Sequence, residues 1–162
     1  MENEEFKNTF KNEMRNNGFK RRASHWYKNI NNILYVVNLQ KSHFGDEFYI
    51  NISCVPDGMA VTGLPFPKEY KCPIRLRLGS KMPEQTDTYI KTTLDMSSTI
   101  SNSERELQIK DIIRNYIIPI ADKISDIDKI KSVIINDSIK GIVITKAGLE
   151  FLGILSIDTN IK

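Results

Sequence analysis

The sequence predicts an α+β protein in which helices cover one face of an antiparallel sheet. Apolar and polar residues alternate over residues 33–54, an amphipathic helix precedes them, and the apolar spacing becomes helical after residue 103. We expect an N-terminal helix, then a four- to five-stranded antiparallel sheet, then two to three C-terminal helices packed on one face. At this length we expect a single domain, residues 1–162.

The centre of the predicted sheet is a hairpin over residues 33–54. On its first strand, every second side chain from Ile33 to Leu39 is apolar or aromatic, and these side chains point the same way. Residues 48–54 repeat the pattern on the second strand, and Gly45 lies in the loop between them. An apolar sheet face must be buried, so we expect the flanking helices to cover it.

An amphipathic helix is predicted over residues 2–16. Phe6, Phe10 and Met14 are spaced four apart, which places them on one side of a helix. Gly18 is suited to the left-handed conformation that ends many helices. We expect the apolar side of this helix to pack on the sheet.

Further strands and loops are predicted on either side of the hairpin. Residues 24–28 form a short aromatic strand, and the asparagine-rich residues 29–32 form the turn into the hairpin. Proline and glycine make residues 56–71 a long irregular loop, which we expect to be functional or mobile. Alternation predicts a strand over residues 74–78, and β-branched residues predict a fifth strand over residues 86–94.

The second half of the chain has helical spacing. Ser103 and Glu106 match a capping box, and a broad apolar stripe from Leu107 to Ile120 follows. Pro119 must kink or break this helix because proline lacks the backbone donor.

Two shorter helical segments are predicted beyond it. The first begins near residue 125 and directs three isoleucines inward, namely Ile127, Ile130 and Ile134. Residues 139–144 fit either a loop or a strand. Thr145 is expected to cap a last helix, whose apolar residues are Ala147, Phe151, Leu152 and Leu155.

The hydrophobic and charged fractions of the sequence are those of an ordinary soluble protein. The net charge of +3 is too small to indicate nucleic-acid binding by itself. The acidic N-terminus lacks the apolar region of a signal peptide, and no apolar run is long enough to span a membrane. We expect Cys54 and Cys72 to be buried free thiols in a cytoplasmic protein without a membrane partner.

No sequence pattern indicates catalysis or metal binding. His25 and His43 have no acid or nucleophile at a spacing typical of a catalytic dyad or triad. The cysteines and histidines form no close-spaced pair of the kind that binds zinc, and no glycine-rich phosphate-binding motif occurs. We therefore expect no catalytic residue, no metal and no cofactor.

The strongest functional signal is the second face of the predicted sheet. Its polar positions are Asn38, Gln40, Asn51, Ser53, Arg75 and Arg77, with Tyr49 beside them. Four basic residues extend the positive charge if the first strand pairs there, namely Lys20, Arg21, Arg22 and Lys28. Guanidinium groups suit carboxylates and phosphates, and amides bind either, so this face is a candidate binding surface.

Two simpler interpretations of this face stay open. It is either the solvated side of a one-sided sheet or a buried polar network beneath a helix. Asparagine forms strands poorly, so Asn38 and Asn51 in the middle of strands are unusual for a face that is merely solvated.

The same stretches resemble a bacterial family known as domain of unknown function 4304. The resemblance rests on residues 18–22, Trp26, residues 37–42 and 48–52, and the arginine-bearing strand at residues 72–79. It covers roughly the first half of the chain, and the family name implies no function. The resemblance directs attention to five positions, Gln40, Ser42, Asn51, Arg75 and Arg77.

The full set of candidate binding residues is Lys20, Arg21, Arg22, Asn38, Gln40, Ser42, Asn51, Arg75 and Arg77. We expect first a non-enzymatic protein-binding module that uses this polar cationic face, of the kind represented by immunity proteins that neutralise a toxin. The alternative is a nucleic-acid-binding protein in which Trp26, Tyr27 or Tyr49 stacks on bases. An enzyme acting on an anionic small molecule ranks third, and the oligomeric state is left open.

Overall fold

A six-stranded antiparallel sheet forms the centre of the molecule, in the order β1-β2-β3-β4-β5-β6. The structure is a computed structural model, and it describes residues 3–154. The strands are β1 (Lys20–Arg22), β2 (His25–Ile30), β3 (Ile33–Lys41), β4 (Phe48–Pro56), β5 (Ile74–Arg77) and β6 (Val143–Ile144). The count exceeds the four to five expected because the two short edge strands, β1 and β6, are too brief to show alternation in sequence.

The helices are α1 (Asn3–Asn16), α2 (Glu84–Leu94), α3 (Asn102–Ile112), α4 (Ile118–Lys123), α5 (Ile127–Ile135) and α6 (Lys146–Leu152). Each contributes side chains to the same hydrophobic cluster as one face of the sheet, so the helices pack on that face. The α+β class and the arrangement predicted from sequence are confirmed. No helix within residues 3–154 has the length and apolar content needed to cross a bilayer.

The face of the sheet beneath the helices is the apolar one that alternation predicts. Its buried side chains are Ile33, Tyr35, Val37, Leu39, Phe48, Ile50, Ile52, Cys54, Ile74, Leu76 and Leu78. The apolar stripe of α1 lies on them, with the rings of Phe6 and Phe48 stacked at 4.7 Å between centroids. Gly18 ends α1 at a φ of +84°, and the backbone N–H of Phe19 then bonds the carbonyl of Met14.

Residues 86–94 are helical, and the expectation of a fifth strand there is wrong. Ile90 and Leu94 of α2 are four residues apart and reach the core, with 1% and 4% of their surface exposed. Intrinsic β preference is weak compared with the burial of a helical stripe, so tertiary packing decides the conformation.

Helix α3 begins two residues earlier than the capping-box pattern indicated, with Ser101 as its N-cap in place of Ser103. The hydroxyl oxygen of Ser101 accepts a hydrogen bond from the backbone N–H of Glu104 at 3.1 Å. Both serines are followed three residues later by a glutamate, Glu104 and Glu106 respectively. The pattern alone therefore does not distinguish them.

Pro119 produces a π-helical turn that joins α3 to α4. Residues Ile113–Ile117 form this turn, and the backbone N–H of Ile118 bonds the carbonyl of Ile113. Pro119 then lies in the first turn of α4. A π-helical turn accommodates an extra residue, which relieves the crowding between a proline ring and the preceding turn.

The last elements add an edge strand to the sheet and a helix to the core. Residues 139–144, which fitted a loop or a strand, contain β6, which pairs with β5. The Thr145 hydroxyl accepts from the backbone N–H of Gly148 and caps α6, as expected. Leu152 is buried, whereas Leu155 lies outside the described residues. In α5, Ile130 is buried, Ile134 is partly buried and Ile127 is exposed.

Arg105 is a buried cation that connects α3 to the C-terminal end of α2. It is 1% exposed and donates hydrogen bonds to the carbonyls of Thr93 and Asp95, at 2.6 and 2.8 Å. It also donates to the Ser98 hydroxyl at 2.9 Å. These bonds satisfy carbonyl groups that a helix end otherwise leaves without a donor.

Arg105→Ala is expected to lower the free energy of unfolding by about 2–4 kcal/mol, because buried carbonyls lose their donors. Urea denaturation followed by circular dichroism measures this loss. The control is Leu107→Ala on the same helix, where the native side chain is 67% exposed, and its effect should stay below roughly 0.5 kcal/mol. Equal losses in the two variants would contradict this role for Arg105.

Ser101→Ala is expected to lower the free energy of unfolding by about 1 kcal/mol, because α3 loses its N-cap. Ser103→Ala is the matched control and should have little effect, since Ser103 lies inside the first turn of α3. The same denaturation measurement compares the two variants. A larger loss for Ser103→Ala would mean that the helix begins at the later capping box.

Candidate functional site

The face of the sheet turned away from the helices carries a row of polar residues, one on each of five strands. Arg22 pairs with His25, His25 with Asn38, Asn38 with Asn51, and Asn51 with Arg77. Residues directly opposite each other on antiparallel strands point to the same face. These five side chains therefore form one line across the sheet, which we call the polar row.

Arg77 at one end of the polar row is held by neutral groups. Its Nε donates to Oδ1 of Asn51 at 3.1 Å, and its Nη2 donates to Oε1 of Gln40 at 3.2 Å. Its guanidinium lies over the Tyr49 ring, 4.5 Å from the centroid. The Nδ2 of Asn51 donates in turn to Oε1 of Gln40 and to Oδ1 of Asn38, at 3.0 and 3.2 Å. The amides thus orient the guanidinium without neutralising it.

Arg75 lies on the same face, opposite Ser53. Its Nη1 donates to the carbonyl of Tyr70 at 3.3 Å, while its buried Nε has no hydrogen-bond partner in the described part of the chain. Within residues 3–154, neither Arg75 nor Arg77 forms an ion pair. Two guanidinium groups therefore stand on one strand without a carboxylate partner.

A cavity of about 540 Å³ lies above these arginines, and we call it the polar cavity. Its floor is the sheet, with Gln40, Asn51, Ser53, Arg75 and Arg77. Its walls are Glu69 and Tyr70 on one side and Ser80, Gly141 and Val143 on the other. The arrangement suits a carboxylate or phosphate, because two guanidinium groups line one opening.

Part of this face is apolar and covered, in addition to the polar positions predicted from sequence. Tyr27, Val36, Val55 and Cys72 form a second buried cluster, with Met59 packed against it. Residues 56–71 form this cover, and we call them the covering segment. The sequence predicted a long irregular loop here, either functional or mobile. It ends in a 3₁₀ turn, Glu69–Lys71.

A histidine–glutamate pair attaches the covering segment to the polar row. His25 Nε2 lies 2.5 Å from Oε2 of Glu69, and the two side chains are 6% and 16% exposed. The Tyr27 hydroxyl donates to the carbonyl of Pro67 at 3.1 Å, and the Arg22 guanidinium lies 3.6 Å from the centroid of the Phe66 ring. Burial is the largest single influence on the Glu69 carboxyl and acts to raise its pKa. The hydrogen bond with His25, a backbone hydrogen bond and the charges of His25 and Lys68 together outweigh burial, so the pKa is lowered.

The structure brings together only part of the predicted set. Asn38, Gln40, Asn51, Arg75 and Arg77 form one hydrogen-bonded or adjoining group. Asn38 is nearly buried, whereas Arg77 is exposed. This group is neither simply solvated nor covered by a helix, so both simpler interpretations are incomplete.

The remaining predicted residues lie apart from that group. Lys20 and Arg22 share its face but stand on β1, at the far edge of the sheet. Arg21 pairs with Trp26 and lies over its ring at 5.7 Å, on the helix-covered side. The Ser42 hydroxyl accepts from the backbone N–H of Phe44, which is a role in the hairpin loop.

A second depression of about 620 Å³ adjoins the polar cavity, since Gln40, Glu69 and Tyr70 line both. Its basic lining residues are Lys7, Arg21, Lys41 and Lys68. Lys7 and Lys41 pair with Glu4 and Asp46, so Arg21 and Lys68 are the lining cations of this depression without an ion pair within residues 3–154.

Sequence reasoning missed Glu69 and Tyr70, which form one wall of the polar cavity. Their contacts with His25 and Arg75 span 44 and 5 positions along the chain. The only signal in the sequence was the unusual length of the covering segment. Nothing in its composition indicated which of its residues would reach the sheet.

The described residues contain no cluster of three potential metal ligands. Cys54 and Cys72 are free and buried. Burial raises the pKa of the Cys72 thiol to about 11 and also raises that of Cys54, so both are protonated at neutral pH.

Taken together, these features define an α+β protein with a meandering antiparallel sheet, helices on one face, and an open cationic and amide-rich site on the other. A family model described as domain of unknown function (DUF4304) matches residues 10–123. The chain belongs to this family. No curated protein and no solved structure matches it.

Glu69→Gln is expected to lower the free energy of unfolding by roughly 1–2 kcal/mol at pH 6–7, because it removes the charged acceptor of the His25 bond. The pKa of Glu69 is lowered from an ordinary value of 4.5 by folding. Its stabilising contribution is therefore complete above that value and is lost as the pH falls through the folded pKa.

Urea denaturation of both proteins at several pH values between about 6.5 and 3 measures this dependence. The difference between wild type and Glu69→Gln should shrink as the pH falls below 4.5, the ordinary pKa. Glu150→Gln on α6, where the native side chain is 56% exposed, is the matched control. A difference that stays constant with pH would contradict the contribution of the Glu69 charge.

Proposed function

We propose that this protein is a non-enzymatic protein-binding module, and that its polar cationic sheet face recognises carboxylates on an acidic partner surface. The observation that carries the proposal is the pair Arg75 and Arg77, adjacent on one face of β5 and without a carboxylate partner among residues 3–154. Arginine side chains that form no ion pair within the protein are available to bind a carboxylate on a partner.

The neutral support of Arg77 favours recognition over a purely structural role. Asn51 and Gln40 orient two edges of its guanidinium, and Tyr49 supports one face. Such a guanidinium loses little side-chain entropy when it binds, because its conformation is already selected. Arginine held among aromatic and amide groups is also one of the residue types that contribute most to protein interfaces.

The charge distribution favours an acidic partner. The basic residues around the polar cavity and the adjoining depression are Arg75, Arg77, Lys7, Arg21, Lys41 and Lys68, against Glu69 as the acidic lining residue. A complementary partner presents an acidic surface. An immunity protein that neutralises an acidic toxin in the cytoplasm is the form of this function that we favour, since two free buried thiols suit a reducing compartment.

We rank protein recognition above nucleic-acid binding because the aromatic residues expected to stack on bases are buried or partly covered. Trp26 and Tyr27 are 2% and 6% exposed, so their rings are not accessible for stacking on a base. Tyr49 is already covered on one face by Arg77. The cations remain, but none of these three aromatic residues offers the fully open ring expected for stacking on single-stranded nucleic acid.

Arg77→Glu is expected to weaken binding to the physiological partner by roughly 100-fold or more, because it places a like charge against the acidic surface. The tagged wild-type protein is used to isolate a stoichiometric partner from the source cells. The purified pair is then titrated calorimetrically. Lys146→Glu on α6, which makes the same charge change at a position 83% exposed, is the control and should bind as wild type does.

Two results would contradict the proposal. One is a partner whose affinity is the same for Arg77→Glu and wild type. The other is the absence of a stoichiometric protein partner together with salt-sensitive binding of a single-stranded oligonucleotide, which would indicate nucleic-acid binding.

A further inference from the structure

A second positively charged site lies on the helix-covered side of the molecule. It is a cleft of about 300 Å³ between the turn before α2, the helix α4 and the residues after α5. Three lysines line it, Lys81, Lys123 and Lys140, and we call it the lysine cleft. Its volume is at the lower end of the range typical of small-molecule sites.

The floor of the lysine cleft is apolar. It is lined by Met82, Pro83, Tyr116, Pro119, Ile120 and Ile139. Ile120 and Ile139 are each 8% exposed and belong to the core, so the cleft reaches the edge of the core. No aspartate or glutamate lines it. The site therefore combines an apolar surface with a rim that carries a single sign of charge.

Close packing of two backbone segments builds the rim. Gly141 has a φ of +81°, and a Cβ at this position would lie 2.8 Å from the carbonyl oxygen of Ser80. Only glycine fits so close to another backbone. The approach of Gly141 to Ser80 brings the neighbouring residues, Lys140 and Lys81, to the same opening although they are far apart in sequence.

Lys81 is held in a backbone conformation that lysine rarely adopts. Its φ is +58°, within a tight turn in which the backbone N–H of Met82 bonds the carbonyl of Gly79. A left-handed conformation is unfavourable for a residue with a Cβ, and glycine or asparagine would fit better. Strained residues of this kind concentrate at binding sites, where the surrounding structure holds them in the strained conformation.

The charges at the rim are largely uncompensated. Lys140 pairs with Asp137, but neither Lys81 nor Lys123 forms an ion pair within residues 3–154. Ammonium groups around an apolar floor complement a ligand that has an anionic group at one end and an apolar body at the other.

We propose that the lysine cleft binds a small organic anion with an apolar body, such as an aromatic or short aliphatic carboxylate or sulfonate. Lys81 and Lys123 contact the anionic group, and the body lies on Met82, Tyr116 and Ile139. This site is independent of the polar row, because Ser80 and Gly141 line the polar cavity on the other side of their backbone contact.

The test uses 1-anilinonaphthalene-8-sulfonate, whose sulfonate and ring system match the two parts of the cleft. Wild-type protein is expected to bind it at one saturable site, with an affinity that falls as salt screens the lysines. Lys81→Ala combined with Lys123→Ala should raise the Kd roughly tenfold, the effect expected of two partly exposed charge contacts. Lys146→Ala on α6 is the control and should leave the Kd unchanged.

N-phenyl-1-naphthylamine, which lacks the sulfonate, separates the charge from the apolar contact. Its binding should be the same in wild type and in the double variant. Amide chemical shifts in a ¹H–¹⁵N spectrum should move at Met82, Thr86 and Ile139 when the sulfonate is added. Changes confined to other parts of the chain, or an equal Kd for wild type and the double variant, would overturn the proposal.

The variant Lys81→Gly tests whether weaker sulfonate binding results from loss of the Lys81 side chain or from unfolding. Glycine adopts the left-handed conformation of this position without strain, so the thermal unfolding midpoint should not fall. Weaker sulfonate binding at an unchanged or higher midpoint would support a binding role for the Lys81 side chain. Unaltered binding in this variant would show that Lys81 does not contact the anion and would overturn its assigned role.

Discussion

The register between β3 and β4 is the constraint on which both faces of the sheet depend. Val37 lies opposite Ile52 in the core, and one residue further along, Asn38 lies opposite Asn51 on the other face. Because side chains alternate, a slip of one residue would exchange the apolar and polar sets. Burial of the core therefore also holds the amides in the positions from which they orient Arg77.

The covering segment decides how much of the second face is open. Its apolar residues cover the end of the sheet around Val36 and Val55, where solvent exposure would be unfavourable. The pair of His25 and Glu69 marks the end of that covered region, and the polar cavity begins there. A long loop thus acts as a second layer of the fold and as one wall of the candidate site.

Much of the fold could be predicted from local patterns. Alternation over residues 33–54 specified both faces of the hairpin, and the four-residue spacing of Phe6, Phe10 and Met14 specified α1. The expectation failed at residues 86–94, where β-branched residues suggested a strand although Ile90 and Leu94 pack as a helix. There the local preference is weak, and packing against α3 and the sheet decides the outcome.

For the candidate site, the sequence by itself determined which side chains share a face, because the period of a strand is a local property of the backbone. It placed Gln40, Asn51 and Arg77 together correctly. Only the tertiary structure decided which of them stay open, which wall encloses them, and that Gly141 meets Ser80 to bring distant lysines together. These contacts join residues far apart in the chain, and their formation depends on the packing of the whole core rather than on any local preference.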